Sequence, residues 1–494
     1  MKILLQSGIV AQLPELVLIF AALVVLAIDA VSRDKYKKAA VAAAYVGTWL
    51  AMLAAIFALV LSLYRANSLF PFSRMVVWDG VSASGKIIIL LSLIVGQLLD
   101  ARASARRLYN GEFHALLLFA STGAMVLASA SNLVVLILGL EILSIPMYTL
   151  AAFDYRRKAA REAGLKYLIL GSFASGFAAV GCALYYAGCG TFNIGIVTIS
   201  ENGRSLYSAG AAMILTGLMF KGGILPFFAW SPDAYEGAPD FAVGLMAAIA
   251  KTATFLFMMR FVPEVLPGIV GSNLITGLTL ATAGTMIAGN LLALAQTNIK
   301  RMLAYSSVAH AGYMFLGILA FRPGASGGIL FYLAGYAPIL VGCFNIVALF
   351  PGEKGGHELR DYIGMGHRSP FIAGIFTLML LTLAGLPPTP VFWGKLLMFM
   401  AAVDPGGSNL VNLVILAMLT SLIGVYYYLR VVVYMYMREP EGDSQPVQPG
   451  LDALGMTGQL GFWLVTFVIL ILGLSPGHLI YLLDRAVNHL RLPG

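Results

Sequence analysis

The sequence predicts an all-α polytopic membrane protein of about fourteen transmembrane helices, with two inverted five-helix repeats that each contain a broken helix. Three observations lead there. Of 494 residues, 60% are hydrophobic and only 11% are charged, against roughly 25% charged in a soluble globular domain. Apolar runs recur along the whole chain at the length of about 20 residues that a helix needs to cross some 30 Å of hydrocarbon. The alternating ten-residue segments of a closed barrel, the only other architecture that satisfies a backbone in lipid, are not found.

Apolar runs bounded by charges, Pro or Gly place spans near 11–31, 39–63, 76–99, 113–130, 132–153, 165–188 and 208–230. Seven more fall near 240–262, 269–295, 302–321, 327–350, 371–402, 409–437 and 459–483. Lys2 stands alone before the first run and no small-residue cleavage site follows it, so the first span is expected to be retained. An even number of spans puts both termini on one side.

The distribution of basic residues tests that count, because cytoplasmic loops carry an excess of Lys and Arg. One alternate set of loops holds Arg33, Lys35, Lys37 and Lys38; Arg102, Arg106 and Arg107; Arg156, Arg157, Lys158, Arg161 and Lys166; Lys300 and Arg301; Lys354, Arg360 and Arg368; and Arg438. The other set, with the termini, holds Lys2, Arg65, Arg74, Arg204, Arg260, Arg322, Arg485 and Arg491. The bias holds loop after loop and predicts that both termini face away from the cytoplasm.

Lys86, Lys221, Lys251, Lys395 and Arg430 fall inside spans. A charge at the bilayer centre costs about 2.5–3.5 kcal/mol on insertion scales, so such residues face a bundle interior and mark an ion path. Lys86 and Arg430 lie near span ends, where snorkelling explains them equally well. Lys221, Lys251 and Lys395 lie in long apolar runs and have no such outlet.

Proline divides two spans at comparable places: Pro226 follows Lys221, and Pro387, Pro388 and Pro390 precede Lys395. A proline inside a helix removes a hydrogen bond and kinks or splits it. Broken helices at membrane depth line cavities, and a matched pair in two halves of a chain points to a transport site. Similar offsets carry Lys221 to Lys395, Glu141 to the neighbourhood of His310, and Lys251 to Arg430. The chain therefore divides into a three-helix segment (1–112), two repeats (113–262 and 269–437) and a linker with a last helix (438–494). Five is odd, so consecutive repeats insert with opposite topology.

Glu141 lies in the apolar run NLVVLILGLEILSIPMYTL, where an unpaired carboxylate would be neutralised by desolvation. It needs a partner, and Lys221 is the best candidate. A lysine that gained and lost such a partner would change its hold on a proton, as a pump requires. A static structural ion pair is the plainer alternative.

Three separated motifs, FKGGILPFFAWSPDAYEGAP, NIKRMLAYSSVAHAGYM and AGLPPTPVFWGK, resemble the antiporter-like membrane subunits of respiratory complex I. The resemblance covers essentially the whole chain and is closest to the N type, the counterpart of mitochondrial subunit 2. Tyr235, Glu236 and Gly237 stand where the M type usually has a His, Lys395 stands where the M type usually has a Glu, and the L type's long lateral helix is missing. The resemblance implies that Glu141 and Lys221 form the paired groups of a first half-channel, that Lys251 is the central lysine, and that Lys395 is the terminal proton-carrying group. It makes His310 the connection between Lys251 and Lys395. A lone histidine on an apolar helix is otherwise a core residue, although its titration near neutrality suits a relay.

No Gly-rich dinucleotide fingerprint, ligand-spaced cysteine cluster or soluble domain accompanies these residues, so no cofactor or metal is expected in this chain. Cys182, Cys189 and Cys343 are read as small core residues. The resemblance implies that NADH, FMN, iron–sulfur clusters and quinone belong to partner subunits, among them neighbouring antiporter-like subunits. The net charge of +8 is accounted for by topology and calls for no nucleic acid. His114, His357, His367, His478 and His489 are read as solvated residues near span ends and loops. Tyr426, Tyr427, Tyr428, Tyr434 and Tyr436 are read as an interfacial aromatic belt, with part of the cluster lining the second half-channel as the alternative. A related cation/proton antiporter or membrane-bound hydrogenase subunit would share the broken helices and lysines, and a passive scaffold would have no use for the buried charges.

Overall fold

The computed structural model describes residues 8–32, 37–63, 69–100, 111–195, 199–269, 272–350, 357–403, 408–438 and 455–487. Lys2, Arg33, Lys35, Arg65, Arg102, Arg106, Arg107, Lys354, His489, Arg491 and most of the 438–454 linker lie outside them.

The N-terminal segment is α1 (Ile9–Ser32), α2 (Lys37–Leu63) and α3 (Gly80–Asp100). There follow α4 (Gly111–Ala128), α5 (Leu133–Ala151), α6 (Lys158–Cys189), α7 (Arg204–Gly222), α8 (Trp230–Gly237) and α9 (Asp240–Val265). Next come α10 (Ser272–Leu294), α11 (Ile299–Leu319), α12 (Pro323–Leu349), α13 (Pro370–Ala384), α14 (Pro390–Val403) and α15 (Ser408–Tyr436). The described chain ends in α16 (Gly455–Leu474) and α17 (Pro476–Val487).

Among the described residues, twelve helices are long and apolar enough to cross a membrane. The two remaining spans are the interrupted ones, α7 with α8 and α13 with α14, which gives the fourteen expected. The last span is shorter than expected: it stops at Leu474, and Pro476 opens a separate helix whose Leu483, Ala486 and Val487 are buried. Proline at that position cannot continue the preceding helix's hydrogen-bond ladder.

Helices α9 and α12 are enclosed along their length, and α11 nearly so, whereas α1, α2, α6 and α15 leave broad apolar faces uncovered. A helix that is apolar all round belongs in a core, and α9 carries only Lys251 and Arg260 as internal cations. Helix α12 packs against α3, α9 and α14 and so joins the N-terminal segment to the second interrupted span.

The breaks are built alike. Helix α7 ends at Gly223 (φ 73°) and α13 at Gly385 (φ 81°), both left-handed caps whose N–H turns back onto the last carbonyls. A side chain at either position would be strained, so glycine specifies the stop. Cis bonds at Leu225–Pro226 and Pro387–Pro388 follow. Helices α5 and α11 both start from an asparagine, Asn132 or Asn298, whose side chain accepts backbone N–H groups of the first turn.

Two residues assigned to loops are buried instead. Arg260 forms a two-pronged pair with Asp79, at 2.6 and 2.8 Å, and both side chains are 1% exposed. Lys300 donates to Asp240 Oδ1 at 2.6 Å and to the carbonyls of Glu236 and Ala238, each at 3.0 Å. Their charges are satisfied by residues distant in sequence, which loop position alone does not reveal. The bias of the remaining loop cations is unchanged. His357 is also buried, with Nε2 at 3.2 Å from Asp240 Oδ1, and His114 is buried against Tyr45 and Phe113, whereas His367 and His478 are exposed as expected.

Candidate functional site

Lys221, Lys251, His310 and Lys395 are buried on helices packed one against the next, α7, α9, α11 and α14. Lys221 sits in the last turn of α7, just before the Gly223 break, and is buried. Its Nζ has no hydrogen-bond partner among the described residues. Two ring faces approach it instead, Tyr148 of α5 at 5.0 Å and Tyr167 of α6 at 5.2 Å to the centroids. Such contacts contribute roughly 2 kcal/mol or more where water is excluded.

Glu141 is half-buried on α5, beside the exposed Leu138, Ile142 and Ile145. It interacts electrostatically with both Lys221 and Tyr148, but the direct ion pair expected for it is not formed. Tyr148 follows Glu141 by seven residues, two turns along the same helix face, and presents its ring to Lys221. The structure thus brings Glu141 and Lys221 into one neighbourhood but puts an aromatic ring at the contact.

Lys251 is buried in α9 and donates to Ser307 of α11, through the Ser307 carbonyl and at 2.9 Å to its hydroxyl. Its ammonium also lies against the first break, 3.8 Å from the position a Cβ would take at Gly223. His310 is buried on α11, with Nδ1 on the Tyr332 hydroxyl of α12 and Nε2 3.0 Å from the Tyr428 hydroxyl of α15. Tyr336 packs on its ring at 4.9 Å.

Lys395 is buried in α14 and donates to Ser421 Oγ at 2.6 Å and to the Ala384 carbonyl, at the end of α13, at 3.5 Å. Tyr313 of α11 presents its ring at 4.6 Å. The tyrosine hydroxyl is fixed by Asn290 Nδ2 at 2.9 Å and bonds Thr420 Oγ1 at 3.4 Å.

One helix therefore links the central and terminal lysines. Ser307, His310 and Tyr313 recur every three residues on α11, each step advancing about 4.5 Å along one side. Ser307 holds Lys251 and Tyr313 faces Lys395, with His310 between them. Sequence reasoning found His310 but not its flanking serine and tyrosine, although the repeat of three within YSSVAHAGYM carried the signal.

Other expectations are altered. Tyr427 and Tyr428 are 1% exposed and belong to this polar interior, with Tyr427 bonded to Asn290 Oδ1 at 3.3 Å; Tyr426, 62% exposed, fits the belt. Arg430 donates to the carbonyls of Leu294 and Gln296 at 3.1 and 2.5 Å, capping α10. Lys86 pairs with Glu15 of α1 at 2.6 Å and donates to the Ala11 carbonyl at 2.6 Å, which ties α1 to α3. Glu15 was missed because Glu141 was the one carboxylate inside a span that was weighed.

A helical membrane bundle with two interrupted spans and a buried Lys–His–Lys row defines an antiporter-like membrane subunit. The family described as NADH:quinone oxidoreductase/Mrp antiporter, TM, matches residues 129–424. The chain is 37% identical to NADH-quinone oxidoreductase subunit N of Trichlorobacter lovleyi, over 84% of this chain and 85% of that protein. It is 34% identical to NADH-quinone oxidoreductase subunit N 1 of Solibacter usitatus, over 97% of each. Among solved structures, a chain of respiratory complex I from Thermus thermophilus with bound aureothin is similar at 30% identity and a TM-score of 0.78, over 96% of this chain and 100% of that one. The chain belongs to the NADH-quinone oxidoreductase subunit N family.

Proposed function

We propose that this chain is a proton-translocating membrane subunit of an NADH-quinone oxidoreductase, and that Glu141, Lys221, Lys251, His310 and Lys395 carry the protons. The α11 row supports this most directly: Ser307, His310 and Tyr313 stand at successive three-residue steps between two buried lysines, in a bilayer setting where unneeded charge is costly. Residues 113–262 and 269–437 act as two half-channels, flanked by the segment 1–112 and the closing region 438–494. NADH, FMN, iron–sulfur clusters and quinone reside in partner subunits, and electron transfer there drives this subunit through its membrane neighbours. Moving one proton against 100 mV requires about 2.3 kcal/mol, which a lysine whose environment changes by a few kcal/mol can supply.

Lys221→Ala tests the division of labour. In an assembled complex it lowers proton uptake and slows NADH:quinone turnover through coupling, while electron transfer from NADH to artificial acceptors upstream of quinone stays near wild type. Equal loss of both activities would refute the scheme.

Both termini face the periplasm, and the segment from Arg156 to Lys166 faces the cytoplasm of a bacterial inner membrane. Lys158→Cys is then inert to an impermeant thiol reagent added to intact spheroplasts and reacts in inverted vesicles. Labelling from outside would reverse the topology.

A further inference from the structure

We propose that Tyr148 and Tyr167 form an aromatic cage whose ring faces position the Lys221 ammonium, an inference that rests on Lys221 carrying protons. The two rings come from different helices and meet edge to face, with centroids 4.7 Å apart and planes at 82°. The ammonium lies within about 5 Å of both centroids, inside the range over which a ring quadrupole attracts a cation. Nζ makes no hydrogen bond to either hydroxyl, so the faces make the contact. A ring face attracts an ammonium and has no comparable hold on a neutral amine, so the cage distinguishes the two states of the lysine without an opposing charge.

The cage is tied to the break beside it. Trp230, the first residue of α8, stacks on Tyr167 at 4.5 Å with planes 4° apart. Phe220, next to Lys221, stacks on Trp230 at 5.3 Å, and its carbonyl accepts from the indole N–H at 2.9 Å. Both sides of the interruption thus bear on one wall of the cage, and a shift of α8 against α7 moves that wall relative to the ammonium. The other wall is fitted into α6: a Cβ at Gly171 would come within 2.1 Å of the Tyr148 hydroxyl oxygen. A single ring face recurs at the second interrupted span, where Tyr313 lies 4.6 Å from Lys395. Tyr148 and Tyr167 are therefore positioning residues for proton transfer at Lys221.

The experiment uses the assembled complex in membrane vesicles and measures proton uptake per NADH oxidised, with assembly followed by native gel. The Tyr148→Leu/Tyr167→Leu double variant is expected to lose about half or more of what Lys221→Ala loses, and phenylalanine at both positions to restore it. Mono-, di- and trifluorinated phenylalanine at position 167 keep the ring's shape while draining its face of negative potential. The uptake ratio is expected to fall stepwise along that series, a trend that packing alone would not produce. A flat fluorination series, or leucines that match phenylalanines, overturns the cage while the loss in Lys221→Ala still stands. A normal ratio in Lys221→Ala overturns the proton-carrying reading and the cage with it.

Discussion

Lys395→Arg is expected to stop proton translocation through this subunit as completely as Lys395→Met. The lysine sits where α13 has ended and α14 has begun, with Ser421 Oγ at 2.6 Å, the Ala384 carbonyl at 3.5 Å and the Tyr313 ring at 4.6 Å. These groups can receive an ammonium, and a carrier there must also be able to lose its proton. Arginine keeps the positive charge but does not deprotonate in proteins. Methionine removes the charge and retains an unbranched, mostly apolar stem. Crowding complicates the comparison, because a Cβ at Gly385 would already lie 3.0 Å from Lys395 Nζ, so a guanidinium overfills the corner at a cost of about 1–3 kcal/mol. Native gels therefore accompany the ratio of proton uptake to NADH oxidised. If Lys395 releases and regains a proton, both variants lose this subunit's share of the uptake in intact complexes. A normal ratio with arginine would leave Lys395 a fixed charge and refute its place as the terminal carrier.

The architecture was legible in the sequence because lipid enforces it locally. The uninterrupted spans advertise themselves by about twenty apolar residues, and the breaks by Pro226 and by Pro387, Pro388 and Pro390; the stops at Gly223 and Gly385 emerged with the structure. Charges inside spans were equally visible, since each is an exception within its own window. What each charge touches is a property of helix packing, which a single window does not encode. Lys221 was matched with the carboxylate of Glu141, yet two tyrosine rings from α5 and α6 take that position. Tyr427 and Tyr428 read as interfacial because aromatics gather at membrane edges, but the turn of α15 that bears them faces His310 and Asn290. Arg260 read as a loop residue because it lies close to Pro263 and a span end, and its partner Asp79 is 181 residues away.

That Asp79–Arg260 pair gives the largest expected effect on stability. Both side chains are 1% exposed, and Ser82 N–H adds a hydrogen bond to Asp79 Oδ1 at 2.8 Å. The Arg260 guanidinium and the Ser82 bonds satisfy the buried carboxylate. Arg260→Met or Asp79→Leu alone strands a buried charge and is expected to cost about 3–5 kcal/mol, whereas removing both charges together is neutral or stabilising by about 1–4 kcal/mol. The temperature at which this subunit leaves the solubilised complex, followed by native gel, measures the contrast: each single variant dissociates well below wild type, and the double variant near or above it. Arg260 lies nine residues beyond Lys251 on α9, about 13 Å along the helix, outside the row through Ser307, His310 and Tyr313. The double variant should therefore translocate protons normally once assembled. A stable double variant with a lowered proton-to-NADH ratio would refute a purely structural pair and extend the charged row to Asp79 and Arg260.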